Sequence, residues 1–222
     1  MTDPYKILFT ISTLSNYLPI IPLMYLYHKL DKAFRIYLLV LIIGSSIDLL
    51  GYAKRMLGFH FNYMLIVDFY EIINYGLILY FFFLINNKKN TNSFFLAFFI
   101  GMIFQSIDWL FITKFKYNSI YADVFYDSVI CYLSFDRINF QIINTKKTNY
   151  KVDWLLIFYI TICIYYSYVT FTLSLYCLNI PLNIKIEPSL YSILNIVNTI
   201  VNITLAIVLI KIFNNQRRNF II

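Results

Sequence analysis

Long apolar stretches, separated by short polar segments, follow one another along this chain. A helix needs about 20 residues to cross about 30 Å of hydrocarbon, and seven of the stretches approach or exceed that length. The sequence therefore predicts an all-α fold, a polytopic integral membrane helical bundle with seven transmembrane helices. The predicted spans are residues 7–27, 36–53, 62–85, 94–113, 118–135, 154–179 and 189–213.

The composition excludes two other classes of protein. Of the 222 residues, 60% are apolar and only 13% are charged. Soluble domains are about 45–50% apolar and about 25% charged, and disordered chains combine low hydrophobicity with high charge. A soluble globular enzyme and a disordered chain are therefore both excluded. Because the segments between the spans are short, residues 1–222 are predicted to form a single transmembrane domain without a soluble domain.

The basic residues lie between the apolar stretches and predict a topology. A net charge of +7 would suit nucleic acid in a soluble protein, but here the positive-inside rule accounts for it, and we expect no nucleic-acid partner. With seven spans, one side of the membrane holds 12 Lys and Arg residues and the other holds 6. This predicts the N-terminus outside and the C-terminus inside. The fifth stretch is the weakest, and without it six spans remain and both termini lie inside.

Six of the eleven acidic residues fall inside the predicted spans. An ionisable group in hydrocarbon costs about 2.5–3.5 kcal/mol, so it normally faces the interior of a bundle or water. No lysine or arginine lies deep in the spans, so these acids are expected to be protonated or to meet a proton, a metal ion or an ammonium group. In the seven-span topology five of them, all but Asp127, fall in the outer halves of the helices, which predicts an outward-facing acidic cavity. The acids are Asp48, Asp68, Glu71, Asp108, Asp123 and Asp127.

Helical spacing places further polar side chains on the same faces as these acids. Tyr75 follows Glu71 by one turn, Gln105 precedes Asp108, and three asparagines share one face of the last span. The predicted ligand-binding set therefore contains the six acids together with these residues. The alternative for the uncharged members is that they join helices through interhelical hydrogen bonds. For Asp48, Asp123 and Asp127 the alternative is exposure near the membrane interface, since the ends of spans are predicted only to within a few residues. The added residues are Tyr75, Gln105, Asn195, Asn198 and Asn202.

Two prolines, Pro19 and Pro22, lie near the middle of the first span, just after Ser12 and Asn16. A proline lacks the N–H that a helix needs, so each leaves a carbonyl without its partner. In membrane helices such interruptions are tolerated where the freed groups find other partners, and they often mark a hinge or a site. We therefore expect a break or a kink at this point of the first helix.

Three functions fit these features. The first is binding or transport of a cation or a cationic small molecule in the acidic cavity. The second is an oligomeric pore or membrane-disrupting effector, for example in bacterial defence, in which a cytosolic partner docks on the loop of residues 136–153. The third, an intramembrane lipid hydrolase with paired carboxylates such as Glu71 and Asp108, ranks last.

No catalytic residue or cofactor is predicted, and whether a metal binds stays open. The lipid bilayer is a predicted partner, and a second copy of the chain is another. The high content of Ile, Asn, Lys and Tyr is typical of an AT-rich coding sequence and favours a bacterial inner membrane as the location.

Overall fold

A computed structural model of the chain describes residues 4–57, 63–86, 91–113, 119–145, 153–177 and 186–219. These residues are 93% helical and contain no strand, which confirms the all-α fold for them. A 3-10 turn at Tyr27–Lys29 precedes α3, and a π-helical turn at Asp108–Ile112 follows α5. The helices are α1 (Pro4–Ser15), α2 (Ile20–Tyr25), α3 (Lys32–Leu57), α4 (Tyr63–Ile85), α5 (Thr91–Ile107), α6 (Ile120–Thr145), α7 (Trp154–Cys177) and α8 (Ile186–Asn219).

Six helical stretches of the described residues are long and apolar enough to cross a membrane, which supports a membrane-spanning bundle. The seventh long helix, α6, is not among them, yet it packs along α7. The six stretches are Lys6–Tyr25, Lys32–Lys54, Leu65–Ile85, Thr91–Ile112, Trp154–Leu175 and Leu190–Asn214.

The helix α6 extends further than its apolar stretch. The prediction ended it at residue 135 and placed a loop over residues 136–153, whereas α6 continues to Thr145. Residues 146–152 lie outside the described part of the chain. The extension follows from packing, because the buried face of α6 continues past Ile130 to Ser134 and Arg137, which are also buried. Apolar character alone could not predict a helix whose last buried residues are polar.

The first span is interrupted at the position that Pro19 and Pro22 indicate. α1 ends at Ser15 and α2 begins at Ile20. A continuous helix would pair the carbonyl of Ser15 with the N–H of residue 19, which Pro19 lacks. Leu18 N donates to that carbonyl instead, at 2.9 Å. The carbonyl of Asn16 accepts a hydrogen bond from Ser45 Oγ of α3 at 3.3 Å, so the neighbouring helix satisfies one of the groups that the break frees.

The helices form a ring. The first span, α1 and α2, contacts α3 on one side and α8 on the other. From α3 the ring continues through α4, α6 and α7, and it closes where α7 packs on α8. α5 contacts α4 and α6 and lies outside this ring. Side chains of five of the six ring members, all but α6, face a common central space.

An aromatic cluster fills one end of that space. The Phe34 ring packs against Phe81, Phe158 and Phe213, with centroid separations of 6.0, 5.6 and 5.3 Å, and Tyr37 packs against Phe158 at 5.2 Å. All five side chains are buried. Edge-to-face pairs of this kind contribute about 0.5–1.5 kcal/mol each beyond the area they bury. The cluster lies beside Lys32, Ile85 and Trp154, where three candidate spans begin or end. It therefore closes that end of the bundle.

Gly101 allows α5 to approach the stacked rings of Tyr75 and Tyr126. A Cβ atom at this position would lie 2.5 Å from Tyr75 Cε1 and 3.0 Å from Tyr126 Cε1. Both tyrosines are only 2% exposed. Because neither ring has room to move, we expect Gly101→Ala to lower the free energy of unfolding by about 1–3 kcal/mol. Thermal unfolding in detergent micelles measures this loss.

Gly76→Ala is the matched control, since it also adds a methyl group to a helix. Its Cβ atom would lie 3.0 Å from Phe98 Cε2, and Phe98 is only partly buried, so that ring is able to shift. We expect this variant to unfold within about 0.5 kcal/mol of the unmodified protein. Equal losses in the two variants would contradict the account of Gly101.

Candidate functional site

A cavity of about 130 Å³ lies inside the ring, between the break in the first span and α3, α4, α7 and α8. One part of its wall is polar and another is aromatic, while apolar side chains of α3, α4 and α8 complete it. Within the described part of the chain, the wall contains no lysine, arginine or histidine. The polar residues are Asn16, Ser45, Asp48, Asn74, Asn198 and Asn202, and the tyrosines are Tyr37, Tyr70, Tyr165 and Tyr166.

Asn16 is the centre of a hydrogen-bond network that joins the broken span to α3 and α8. Its Nδ2 donates to Asp48 Oδ2 at 2.6 Å. Its Oδ1 accepts from Asn202 Nδ2 at 2.6 Å and from Asn198 Nδ2 at 2.9 Å. The two asparagines of α8 also donate to Ser15 Oγ and Ser12 Oγ of α1. The predicted polar face of the last span therefore meets the predicted break in the first.

Asp48 is the acid of the predicted set that lines this cavity. It is exposed, whereas Asn202 on the same wall is only 6% exposed, so the cavity opens beside Asp48. An ionised carboxylate has about four lone-pair positions for donors. Among the described residues, Asn16 is its hydrogen-bond partner. The carboxylate therefore keeps acceptor capacity toward the cavity.

Asn74 presents a buried acceptor to the same cavity. It is 9% exposed, and its side chain hydrogen-bonds Glu71. Asn74 Oδ1 has no partner among the described residues. A buried polar atom left unpaired costs about 1–3 kcal/mol, and a ligand donor that the Asn74 side chain turned to meet would offset that cost.

Asp68 and Asp108 lie at the N-terminus of α6, and neither lines the cavity. Asp108 Oδ2 accepts from Tyr121 N at 3.1 Å and from Ala122 N at 3.2 Å. Asp68 Oδ1 accepts from Ser119 N at 3.2 Å. The first N–H groups of a helix have no partner inside the helix, and negative charge there is also favoured by the helix dipole. The two acids therefore hold the start of α6.

Gln105 and Tyr75 join helices near those acids. Gln105 Nε2 donates to Ser119 Oγ at 2.7 Å, and its Oε1 accepts from Tyr126 OH at 3.0 Å. Tyr75 stacks on Tyr126 with ring centroids 4.2 Å apart, and its hydroxyl donates to the carbonyl of Ala97 at 2.9 Å. Neither residue lines the cavity. Their contacts match the structural alternative, in which polar groups hold helices together.

The remaining acids form a third group, between α4 and α6. Glu71 interacts electrostatically with Asp127, and Asp123 with Glu71. None of the three lines the cavity. Their connection to it is Asn74, which hydrogen-bonds Glu71. Asn195, the last member of the predicted set, also lies outside the cavity wall.

Several cavity residues are absent from the predicted set. Asn16 had a signal, since it lies beside the helix-breaking Pro19, and Asn74 lies one turn from Glu71. Tyr37 and Tyr70 had none, because the chain contains 21 tyrosines and nothing in their spacing marks these two. Only the packing of α3 against α4 brings their rings to the cavity.

In the described part of the chain, no three His, Cys, Asp or Glu side chains converge closely enough to hold a metal ion. The chain matches no protein-family model, no curated protein and no solved structure. Its function is therefore inferred from the residues of the cavity alone.

Proposed function

We propose that this protein binds a small organic cation, an alkylammonium ion, in the cavity lined by Asp48 and Asn74. The observation that carries the proposal is that an accessible carboxylate and an unpartnered buried amide oxygen line the same cavity. Both groups are acceptors. A primary ammonium group offers three N–H donors and a positive charge, which complements both at once. An anion would find no basic side chain in the wall.

The size of the cavity and its tyrosines further limit which cations fit. A cavity of about 150 Å³ accommodates benzene, so about 130 Å³ suits a cation of roughly six non-hydrogen atoms. Tyr70 and Tyr165 lie in the wall, and aromatic faces attract ammonium groups. Apolar side chains such as Val40 and Leu205 would contact the alkyl part. A bare alkali ion would use the acceptors but not the apolar wall.

Transport is the activity that the broken first span supports. Discontinuous helices near the middle of the membrane form the substrate sites of many secondary transporters, and Asn16 lies near the middle of its candidate span, Lys6–Tyr25. We propose that residues 16–19 act as the hinge. In this scheme the ligand enters beside Asp48 from outside a bacterial inner membrane and leaves when the aromatic cluster around Phe34 opens.

The two other functions have less support from the geometry. A hydrolase with Glu71 and Asp108 needs both carboxylates at one water molecule, but Asp108 Oδ2 already accepts two backbone hydrogen bonds. The pore or effector was predicted to bind its partner through a loop of residues 136–153. Most of that segment is helical, because α6 continues to Thr145. Asp108 Oδ1 also has no partner among the described residues, but Asp108 lies outside the wall of the cavity.

Thermal unfolding in neutral detergent tests the proposal with four chloride salts at equal ionic strength. We expect methylammonium and ethylammonium to raise the melting temperature in a saturable manner, by roughly 5–10 °C at 100 times the dissociation constant. Sodium and tetraethylammonium should not, since the first lacks the alkyl group and the second is too large. Equal shifts with all four salts would contradict the proposal.

Asn74→Ala removes the unpartnered acceptor from the cavity. Because one hydrogen bond contributes about 0.5–1.5 kcal/mol, we expect the affinity for ethylammonium to fall roughly tenfold. Titration calorimetry on the purified protein measures the change. Asn195→Ala is the matched control, since it removes an amide of α8 that lies outside the wall, and it should bind as the unmodified protein does. Equal weakening in both variants would show that Asn74 contributes no specific contact.

A further inference from the structure

A second cavity, of about 460 Å³, lies between the ends of α3, α4, α6 and α7. It is far along the helices from Asp48, because Lys32 and Asp48 lie near opposite ends of the span Lys32–Lys54. Its wall contains Arg137 and Lys32 together with apolar side chains such as Phe34, Leu84 and Leu155. The wall therefore combines basic groups with a surface suited to hydrocarbon.

Arg137 is the unusual member of this wall. It is only 8% exposed, although a guanidinium has five N–H donors and stays charged. Its ion-pair contact is with the adjacent Asp136, at 3.6 Å, and it lies 5.2 Å from the centroid of the Phe140 ring. No residue in the described part of the chain accepts a hydrogen bond from the Arg137 guanidinium. A buried arginine with unused donors beside a cavity indicates an anionic ligand.

The acidic residues near Arg137 do not fill that role. Asp31 also lines the cavity, but its Oδ1 accepts from Phe34 N at 2.9 Å and caps the start of α3. The side chain of Asp136 is 54% exposed, and its contact with the guanidinium at 3.6 Å is longer than a hydrogen bond. Lys32 adds a second positive charge to the wall. The guanidinium is therefore able to bind an incoming anion.

The position of the cavity identifies the source of the anion. Candidate spans begin or end beside it, at Lys32, Ile85 and Trp154, so it lies at the level where lipid headgroups meet the protein. Basic pockets between helices at this level bind the headgroups of anionic lipids. Arginine binds phosphate through two parallel hydrogen bonds.

We propose that Arg137 binds the phosphate of an anionic phospholipid whose acyl chains lie against Phe34, Leu84 and Leu155. The wall of this site shares no residue with the wall of the cavity at Asp48, so either proposal can fail alone.

Short-chain lipids added to the protein in neutral detergent test this site by thermal unfolding. We expect dioctanoyl phosphatidylglycerol to raise the melting temperature by roughly 5–10 °C at saturation and dioctanoyl phosphatidylcholine to have little effect. Arg137→Gln should lower the affinity for phosphatidylglycerol at least tenfold. Lys29→Gln is the matched control, since it removes a positive charge from an exposed residue at the same end of the bundle and outside the cavity wall.

Two results would overturn the proposal. Equal loss of affinity in Arg137→Gln and Lys29→Gln would show a general effect of surface charge. Equal stabilisation by sodium phosphate would show that free phosphate, and not a lipid, occupies the site. If Arg137→Gln does not fold, Arg137→Lys serves in its place, because it keeps the charge but lacks the planar fork. Its affinity should fall several-fold, and an unchanged affinity would also overturn the proposal.

Discussion

Replacing Asp48 with asparagine is expected to lower the affinity for ethylammonium at least 100-fold. A hydrogen bond to a charged group contributes about 1.5–3 kcal/mol, and the charge of the carboxylate adds a Coulomb term that is larger away from bulk water. A loss of about 2.7 kcal/mol corresponds to a factor of 100. The fold should remain intact, because asparagine has an oxygen that still accepts the hydrogen bond from Asn16 Nδ2. Titration calorimetry and thermal unfolding measure the two quantities on one preparation.

Asp136→Asn is the matched control for Asp48→Asn. It removes one carboxylate whose side chain is 54% exposed and which lies outside the cavity at Asp48, and it should leave the affinity for ethylammonium within about twofold. If Asp48→Asn retained the affinity of the unmodified protein, the cavity would not be an ammonium site. If both variants lost affinity equally, the effect would come from net charge and not from the cavity.

The helices were predictable because their signal is local. Six of the seven predicted spans are apolar and long enough to cross a membrane in the structure, and the missing N–H groups of Pro19 and Pro22 mark the break between α1 and α2. The end of α6 was not predictable in this way. Its last buried turns carry Ser134 and Arg137, and only their contacts with neighbouring helices make that stretch a helix of the bundle.

The candidate site was predictable in part for the same reason. Asn198 and Asn202 share a helical face, so their spacing brought them together with Asp48 in the predicted set. Spacing cannot say which helix a face meets. Asp68 and Asp108 were predicted as ligand-binding acids, but their partners are backbone N–H groups at the start of α6, 51 and 13 residues away in sequence. A helix N-terminus that is brought to an acid by folding leaves no pattern around the acid itself.

The acids of this bundle therefore divide according to the partners they have. Asp108 has backbone donors of α6, and Asp48 has one amide and an open cavity. A carboxylate that accepts hydrogen bonds from the backbone of its own fold has a structural role. A carboxylate that lines a cavity and has oxygen lone pairs without donors is suited to bind a ligand. This distinction predicts opposite results for the two residues, namely loss of affinity with an intact fold at Asp48 and loss of stability at Asp108.

Asp108→Ala is accordingly expected to destabilise the protein more than any other substitution considered for its effect on stability. Asp108 is 0% exposed, and its removal leaves the N–H groups of Tyr121 and Ala122 without the acceptor they have in the fold. Each buried donor left unpaired costs about 1–3 kcal/mol, so we expect a loss of about 3 kcal/mol in the free energy of unfolding. For a chain of this size that corresponds to roughly 6–12 °C in melting temperature.

Asp108→Asn is the informative second variant, because its amide oxygen can still accept from one or both N–H groups while the charge is lost. It should lose only about 1 kcal/mol, since the favourable term between a negative charge and a helix N-terminus is about 0.3–1 kcal/mol in typical settings. Hydrogen exchange should show faster exchange at the start of α6 in Asp108→Ala than in Asp108→Asn. Below its melting temperature, Asp108→Ala should still bind ethylammonium, because Asp108 does not line the cavity at Asp48. If Asp108→Ala had the melting temperature of the unmodified protein but no longer bound ethylammonium, the roles assigned to Asp108 and Asp48 would be wrong.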